Sequence, residues 1–176
     1  DNLMLISQGH VAFQCLKAGL DLNLFELLDD EGPLSSSEIM EKLGLAETPC
    51  HILLRSLYSL DLITKNQGKF ENSSTAQAYL TNRSGYNFRD ILGWQDKIVY
   101  PGIVDLTLAL KQNSNVGLKN FAGEGSNLYE RLSASHELEL TFQKAMSALS
   151  SAANTEFLDQ LNLESVSTIV DVGGGE

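Results

Sequence analysis

The stretch TIVDVGGGE, at residues 168–176, decides how the rest of the chain is interpreted. A run of apolar, mostly β-branched residues ends in Asp171, and Gly173, Gly174 and Gly175 follow. Such a run is typical of a strand buried in a parallel sheet. Glycines directly after a strand allow a tight turn and let a ligand approach the backbone closely. The sequence therefore predicts a strand over residues 168–172 that ends in a ligand-binding loop.

The acid before the glycines bears on which ligand this loop would hold. A carboxylate at Asp171 attracts a cationic amino group and repels a pyrophosphate. This favours a nucleoside that carries an amino acid, such as S-adenosylmethionine, over a dinucleotide. Glycines after a strand also occur in simple turns, and that interpretation stays open at this point.

Length, charge and composition describe an ordinary globular protein. The chain has 176 residues, of which 43% are hydrophobic and 20% charged,. Its formal net charge of −11 opposes a nucleic-acid partner, which needs clustered Lys and Arg,. No apolar run approaches the roughly 20 residues that span a bilayer, so no membrane partner is expected. Cys15 and Cys50 form no CxxC pattern and are interpreted as reduced thiols of a cytoplasmic protein, with a disulfide between them as the open alternative,.

Two helices are predicted at the start of the chain, within residues 3–28. Apolar residues recur there at three- and four-residue steps. Further apolar residues, among them Val11, Ala18 and Leu24, lie off the main stripe. A helix that is apolar nearly all round is buried on several sides. We therefore expect these helices to join two copies into a homodimer that buries more than roughly 2,000 Å².

A compact pattern of two helices and a hairpin follows the breaker Gly32-Pro33,. A serine among residues 35–37 caps a helix over residues 38–43, which Gly44 ends. Thr48 is predicted to cap the next helix, which runs to residue 60. Strands over residues 62–65 and 69–71 then form a hairpin. This order predicts a winged helix-turn-helix.

A winged helix suggests DNA binding, and its charges test that hypothesis. The helix that would enter the groove carries Arg55 and His51, and the wing carries Lys65 and Lys69 beside acidic residues. Base reading and phosphate anchoring need more Arg, Lys, Asn or Gln on one face. A structural scaffold is therefore favoured, and a DNA-binding or protein-interaction module remains the alternative.

The second half of the chain is predicted to be helical around one polar loop. A short helix is expected over residues 73–80. A long helix is expected from residue 88 to 110, with a kink at Pro101-Gly102. Residues 112–127 are interpreted as a loop, and residues 127–132 as a short helix. A last long helix is predicted over residues 137–157.

The whole chain resembles the N-terminal part of the plant-type and hydroxyindole-type small-molecule O-methyltransferases, which use S-adenosylmethionine. Its VDVGGG, at residues 170–175, is similar to the first cofactor motif of that family. The implied fold is mainly α, with a winged-helix domain leading into the first strand of a Rossmann-like α/β domain. The implied boundaries are a dimerisation domain over residues 1–110, connecting helices and acceptor-pocket wall over 111–165, and the start of the cofactor domain over 166–176. We accordingly expect the chain to be the N-terminal part of a longer protein.

The resemblance also implies site residues on two helices. The pattern Phe142, Met146, Ser150 is similar to a family helix whose Phe and Met line the acceptor pocket and whose Ser approaches the cofactor carboxylate. Their i, i+4, i+8 spacing puts the three on one helix face. Trp94 begins a segment that resembles the one contacting the acceptor. The implied cofactor-binding residues are Met146, Ser150, Asp171, Gly173, Gly174 and Gly175. The implied acceptor-binding residues are Trp94, Gln95, Phe142, Met146 and Leu149. Core packing of Phe142 and Met146, and a Ser150 hydroxyl bonded to the preceding turn, stay open as alternatives.

The function that the resemblance implies is methyl transfer from S-adenosylmethionine to a hydroxyl of an apolar or aromatic acceptor. Leu128, Leu132 and Leu138 are aliphatic where relatives line an aromatic pocket, which favours an acceptor other than a phenylpropanoid.

The catalytic base of the family is a histidine in the C-terminal half, and none of His10, His51 and His136 matches its position. No metal-ligand pattern is found either, because Leu140 replaces the second histidine of HExxH,. We therefore predict no catalytic residue and no metal site in this chain, and expect these 176 residues alone to be inactive.

Overall fold

The computed structural model describes residues 2–83, 88–160, 162, 166–170 and 172, which are mainly helical and include one small sheet. The prediction of a mainly helical chain is confirmed. The residues group into two compact units, Asp1–Arg89 and Asp90–Glu176. The domain boundaries at residues 110 and 165 stay a prediction.

The elements of the first unit alternate helices with short strands. They are α1 (Asn2–Asp21), α2 (Leu24–Glu31), β1 (Leu34–Ser35), α3 (Ser36–Leu43), α4 (Glu47–Ser59), β2 (Ile63–Asn66), β3 (Lys69–Asn72) and α5 (Ser74–Tyr79). From residue 88 onward the described elements are helical. They are α6 (Phe88–Trp94), a π-helix (Gln95–Val99), α7 (Tyr100–Ile103), α8 (Leu106–Gln112), a 3₁₀-helix (Val116–Asn120), α9 (Leu128–Leu132) and α10 (His136–Gln160).

The core of the first unit lies where α1, α2 and α4 meet. Leu24, Phe25 and Leu57 are fully buried. Gly19 lets α1 approach this core closely, because an added Cβ would lie 2.9 Å from the Phe25 ring and 3.1 Å from a Leu57 methyl. The apolar residues of α2 therefore pack inside the unit, and most of the apolar surface of α1 does not.

The helices α3 and α4 begin differently from each other. Ser35 caps α3 in a capping box, since its hydroxyl accepts from the Glu38 amide and the Glu38 carboxylate accepts from the Ser35 amide,. Thr48 was the predicted cap of α4, and that prediction is wrong. The cap position is Ala46, whose carbonyl accepts from the Cys50 amide at 3.1 Å. Pro49 is tolerated in the first turn because the amides there have no intrahelical partner.

The sheet has the antiparallel order β1-β3-β2. Its hairpin agrees with the prediction within one residue at each end, and β3 also pairs Leu34 with Phe70 on its other edge. The sequence did not indicate β1, because two residues are too few to show alternation. Ile63 and Phe70 are buried and attach the sheet to the helices.

The predicted kink of the second unit is corrected in position. The helix is interrupted by π-helical geometry at Gln95–Val99, where the Tyr100 amide donates to the Gln95 carbonyl five residues back. Pro101 has no amide hydrogen to continue the α-helical pattern, so the distortion falls in the turn before it. The helix ends at Ile103 and resumes at Leu106.

The predicted loop over residues 112–127 contains the 3₁₀-helix Val116–Asn120, which the sequence analysis missed. It packs directly on α7. A Cβ added to Gly117 would overlap the Gly102 carbonyl and lie 2.9 Å from its carbon. The Asn120 side chain donates to the Pro101 carbonyl at 2.8 Å, and Lys119 pairs with Asp105 at 2.5 Å.

The strand predicted over residues 168–172 is not formed in the described residues. Residues 166–170 have no regular secondary structure, and Ile169 and Val170 are 71% and 78% exposed. A parallel strand needs neighbouring strands for its backbone hydrogen bonds and helices over both faces. The described residues provide neither for this segment. Within the same residues, every helix is too short or too polar to cross a membrane.

Candidate active site

A small hydrophobic cluster in the second unit joins α6, the π-helix, α9 and α10. Its buried members are Ile98, Phe121 and Leu132. The partly buried residues packed on it are Trp94, Leu128, Leu138 and Phe142. Trp94 and Phe142, two of the predicted acceptor residues, are thereby brought to one cluster from distant parts of the sequence.

An ion pair joins the π-helix to α10. Lys97 pairs with Glu137 at 2.6 Å, and its hydrogen bond lowers the pKa of the Glu137 carboxyl. In α6, one turn before, Gly93 faces α10, and a Cβ added to it would lie 4.0 Å from the Thr141 methyl. Trp94 and Gln95, both partly buried, follow Gly93 at this junction.

The helix α10 presents two neighbouring faces with different burial. Ala145 and Ala148 are buried and pack inside the unit. Phe142 and Met146 are half-buried, and Leu149 is 39% exposed. The helix repeat of 3.6 residues places these three beside Ser150, next to the buried face. The predicted site residues of α10 therefore lie at the boundary between core and surface.

The Ser150 hydroxyl is exposed and makes no hydrogen bond to another described residue. The alternative of a bond to the preceding turn is thus absent here, whereas Thr141 on the same helix does donate to the Glu137 carbonyl at 2.8 Å. The other cofactor residues, Asp171, Gly173, Gly174 and Gly175, lie outside the described residues.

The sequence analysis did not single out Tyr129 of α9 as a site residue. Its ring contacts Phe142 edge to face, with centroids 5.6 Å apart at 88°, and the side chain is 69% exposed,. Two aromatic rings are therefore in contact at the hydrophobic cluster on which Trp94 also packs. An exposed aromatic in a short helix after a glycine-rich loop is a signal that could have indicated this residue.

The loop before α9 is held by charged side chains of α9 itself. Arg131 donates to the carbonyl of Gly125 at 2.7 Å and to those of Gly123 and Phe121. Glu130 accepts from the Ser126 amide at 2.6 Å and from its hydroxyl at 3.2 Å, and these bonds lower the pKa of Glu130. These hydrogen bonds hold the loop against α9 and thereby position Tyr129, which belongs to the same helix.

We expect Glu130→Gln to lower the thermal midpoint at pH 7 and to change its dependence on pH. Because the folded-state pKa is below 4.5, the ionised carboxylate stabilises the fold above that value, and the stabilisation is lost as the pH falls through the folded pKa,. The difference in thermal midpoint between wild type and variant, followed by circular dichroism, should therefore be largest above about pH 5. It should shrink towards zero as the pH is lowered further. Glu124→Gln in the same loop is the control. A difference in thermal midpoint that stays constant with pH would contradict a stabilising role of the ionised Glu130 carboxylate.

The described residues contain no group of three or more His, Cys, Asp or Glu placed to hold a metal ion. The three histidines lie on three different helices, α1, α4 and α10.

A concave apolar surface lies in the first unit, between α1 and α4. This groove has a volume of about 530 Å³. Its lining residues are His10, Val11, Gln14, Cys15, Ala18, Leu22, Leu45, Pro49, Ile52, Leu53 and Ser56. The N-terminal turns of α1 add exposed Leu3, Met4, Leu5 and Ile6 to this apolar surface.

Comparison with protein families finds two adjacent domains. Residues 4–82 match the O-methyltransferase dimerisation domain, and residues 105–176 match the O-methyltransferase domain. Together they cover most of the chain.

Individual relatives agree with this family. The chain is 35% identical over 176 residues to L-tyrosine C(3)-methyltransferase of Streptomyces lavendulae, covering all of this chain and 48% of that protein. It is 26% identical over 174 residues to acetylserotonin O-methyltransferase of Bos taurus, covering 96% and 50%. The apo structure of the S-adenosylmethionine-dependent methyltransferase SibL matches with a TM-score of 0.81 and 35% identity, over 94% of this chain and 49% of that one. The chain thus spans about half the length of the relatives it matches.

Proposed function

The chain belongs to the family of S-adenosylmethionine-dependent methyltransferases that join an O-methyltransferase dimerisation domain to an O-methyltransferase domain, and we propose that the whole protein methylates a hydroxyl of a small aromatic acceptor. Bound S-adenosylmethionine would supply an electrophilic methyl group. The residues of this chain would bind the acceptor and exclude water from it.

One observation carries this proposal. Trp94 and Phe142 pack on the same cluster, and Phe142 shares a face of α10 with Met146 and Ser150. Aromatic and aliphatic side chains suit a planar acceptor, and the free Ser150 hydroxyl lies two turns along the same face. An acceptor held by Phe142 would therefore sit beside a polar group suited to the cofactor carboxylate.

The methylated atom has two candidates. A deprotonated phenol is nucleophilic at its oxygen and at the ring carbon beside it, so the position of the ring decides which atom meets the methyl group. Oxygen is the proposed site. The ring carbon is the second candidate, because the relative at 35% identity is an L-tyrosine C(3)-methyltransferase.

The test is methyl transfer by the full-length protein. S-adenosylmethionine with a ¹³C-labelled methyl is incubated with L-tyrosine, tyramine or a hydroxynaphthoate. The ¹³C resonance of the product separates a methyl ether from a ring methyl. We expect a labelled methyl ether from at least one phenol; a ring methyl would favour the second candidate, and no label in any phenol would contradict the function.

We also propose that the first unit is a winged helix that dimerises, and that the groove between α1 and α4 receives the start of α1 from a second copy. The order of α3, α4 and the β2–β3 hairpin supports the winged helix,. The apolar groove and the exposed Leu3 and Ile6 complement each other. Nothing favours DNA binding, since α4 exposes Ile52 and Tyr58 beside its single arginine.

Two narrower proposals complete the account. The protein is cytoplasmic, which the free thiols of Cys15 and Cys50 support,. The 176 residues alone do not catalyse methyl transfer, because none of their histidines matches the position of the family's catalytic base.

A further inference from the structure

A buried hydrogen-bond donor lies among the acceptor residues. The indole Nε1 of Trp94 is shut off from solvent and donates to no acceptor among the described residues. A buried N–H without a partner lowers stability, because it has lost its hydrogen bond to water and gained none in return. Such groups are rare in native proteins, and each needs an explanation.

The backbone beside this donor is also unusual. Trp94 is the last residue of α6, and the π-helix Gln95–Val99 begins at the next residue. π-helical turns are rare and occur frequently at functional sites. The Lys97–Glu137 pair holds this turn against α10. The π-helix and the ion pair together hold the backbone that follows Trp94 against α10.

The side chains packed with Trp94 cannot supply the missing partner. Leu128, Leu138 and Phe142 share its cluster, and none of them has a hydrogen-bonding side-chain atom,. The ring of the neighbouring Tyr129 packs edge to face on Phe142. A partner therefore lies outside these side chains, and a molecule that enters this apolar surrounding can supply it.

We propose that Trp94 Nε1 donates a hydrogen bond to an oxygen of the acceptor, and that the protein thereby selects aromatic acceptors with an accepting oxygen. This inference rests on the proposed function. The acceptor enters by displacing some of the partly buried side chains on the cluster, and the new hydrogen bond offsets part of that cost. A site built around a buried donor rejects analogues that lack the oxygen, because they leave the donor without a partner.

The first test observes the donor itself in the full-length protein labelled with ¹⁵N-tryptophan. The Trp94 indole signal is identified by its loss in Trp94→Phe. L-tyrosine, tyramine and L-phenylalanine are then added in turn, with S-adenosylhomocysteine present. A downfield shift of the indole proton with both phenols, and none with phenylalanine, assigns the bond to the ring hydroxyl. A shift with tyrosine and phenylalanine, and none with tyramine, assigns it to the carboxylate. An indole signal that no probe moves overturns the inference.

The second test is kinetic and separates binding from packing. Trp94→Phe keeps an aromatic ring and removes the donor, so we expect KM for the acceptor to rise about tenfold with a smaller change in kcat. Ile91→Val is the matched control, since it removes a methyl from a buried side chain of α6 that is not part of the cluster and leaves the donor in place. We expect it to lower the thermal midpoint without moving KM. An unchanged KM in Trp94→Phe would also overturn the inference.

Methyl transfer and the Trp94 hydrogen bond can be refuted separately. Wild-type protein that transfers no methyl group to any phenol overturns the proposed function and this inference with it. Methyl transfer with an unmoved indole signal overturns only the Trp94 hydrogen bond.

Discussion

Replacing Gly117 with alanine is expected to lower the free energy of unfolding by about 2–4 kcal/mol, because the new methyl group has no space. It would overlap the Gly102 carbonyl oxygen and approach the Gly102 Cα to 3.2 Å. These are backbone atoms, so no side-chain rotation relieves the contact. The 3₁₀-helix would have to separate from α7 and give up the Asn120 bond to Pro101. Denaturant unfolding of the full-length protein, followed by circular dichroism, measures the effect.

The matched control for this prediction is Gly93→Ala in the same unit. Its added Cβ would lie 4.0 Å from the Thr141 methyl, an ordinary contact. Alanine is favoured over glycine in a helix by roughly 0.5–1 kcal/mol, so this variant should be as stable as wild type or more stable. If both variants changed stability equally, the close packing of the 3₁₀-helix on α7 would be refuted.

Replacing Ile6 with aspartate is expected to raise the dimer dissociation constant more than about 100-fold, since it would bury an unpaired charge in the proposed interface. Ile6 is 69% exposed within one copy, so the substitution leaves the packing of its own unit intact. A twofold interface contains the residue twice, which doubles the effect. Sedimentation velocity over a dilution series of the full-length protein measures the constant.

Gln67→Glu is the control for the charge in that experiment. Gln67 lies in the exposed turn between β2 and β3, and the substitution adds the same charge outside α1. We expect the control to dimerise like wild type. A dimer unaffected by Ile6→Asp would show that the start of α1 lies outside the interface, and a monomeric wild type would contradict dimerisation altogether.

The parts of the fold that the sequence predicted well are those governed by local rules. Ser35 and Gly44 bound α3 because capping and left-handed geometry depend on a few adjacent residues,. The β2–β3 hairpin is set in the same way by the turn at Gly68, which has φ +83°. Helices with a long apolar period were also predictable, although their ends moved by one to three residues.

The errors arose where distant residues decide the local conformation. The 3₁₀-helix at Val116–Asn120 exists because Gly117 and Gly102 pack backbone to backbone, which no local pattern indicates. The π-helix precedes Pro101 by a turn because the whole segment adapts to the missing amide. The predicted strand at residues 168–172 depends on partners that the described residues do not provide.

The sequence predicted which of the proposed site residues share a helix face, and it did not predict the side chains around them. Phe142, Met146 and Ser150 share a face of α10 as their spacing requires. Burial of the Trp94 donor and the contact of Tyr129 with Phe142 depend on how α6, α9 and α10 pack. Side-chain contacts between helices far apart in sequence cannot be deduced from periodicity alone.

The central claim is that this chain contributes the first cofactor motif and the acceptor wall of a methyltransferase. Calorimetric titration of full-length wild type and Asp171→Asn with S-adenosylhomocysteine tests it most directly. We expect saturable binding by wild type and affinity weakened by about 10- to 100-fold in the variant, because asparagine cannot form a charged hydrogen bond to the amino group of the ligand. Equal affinity of the two proteins, or no binding by wild type, would contradict the claim.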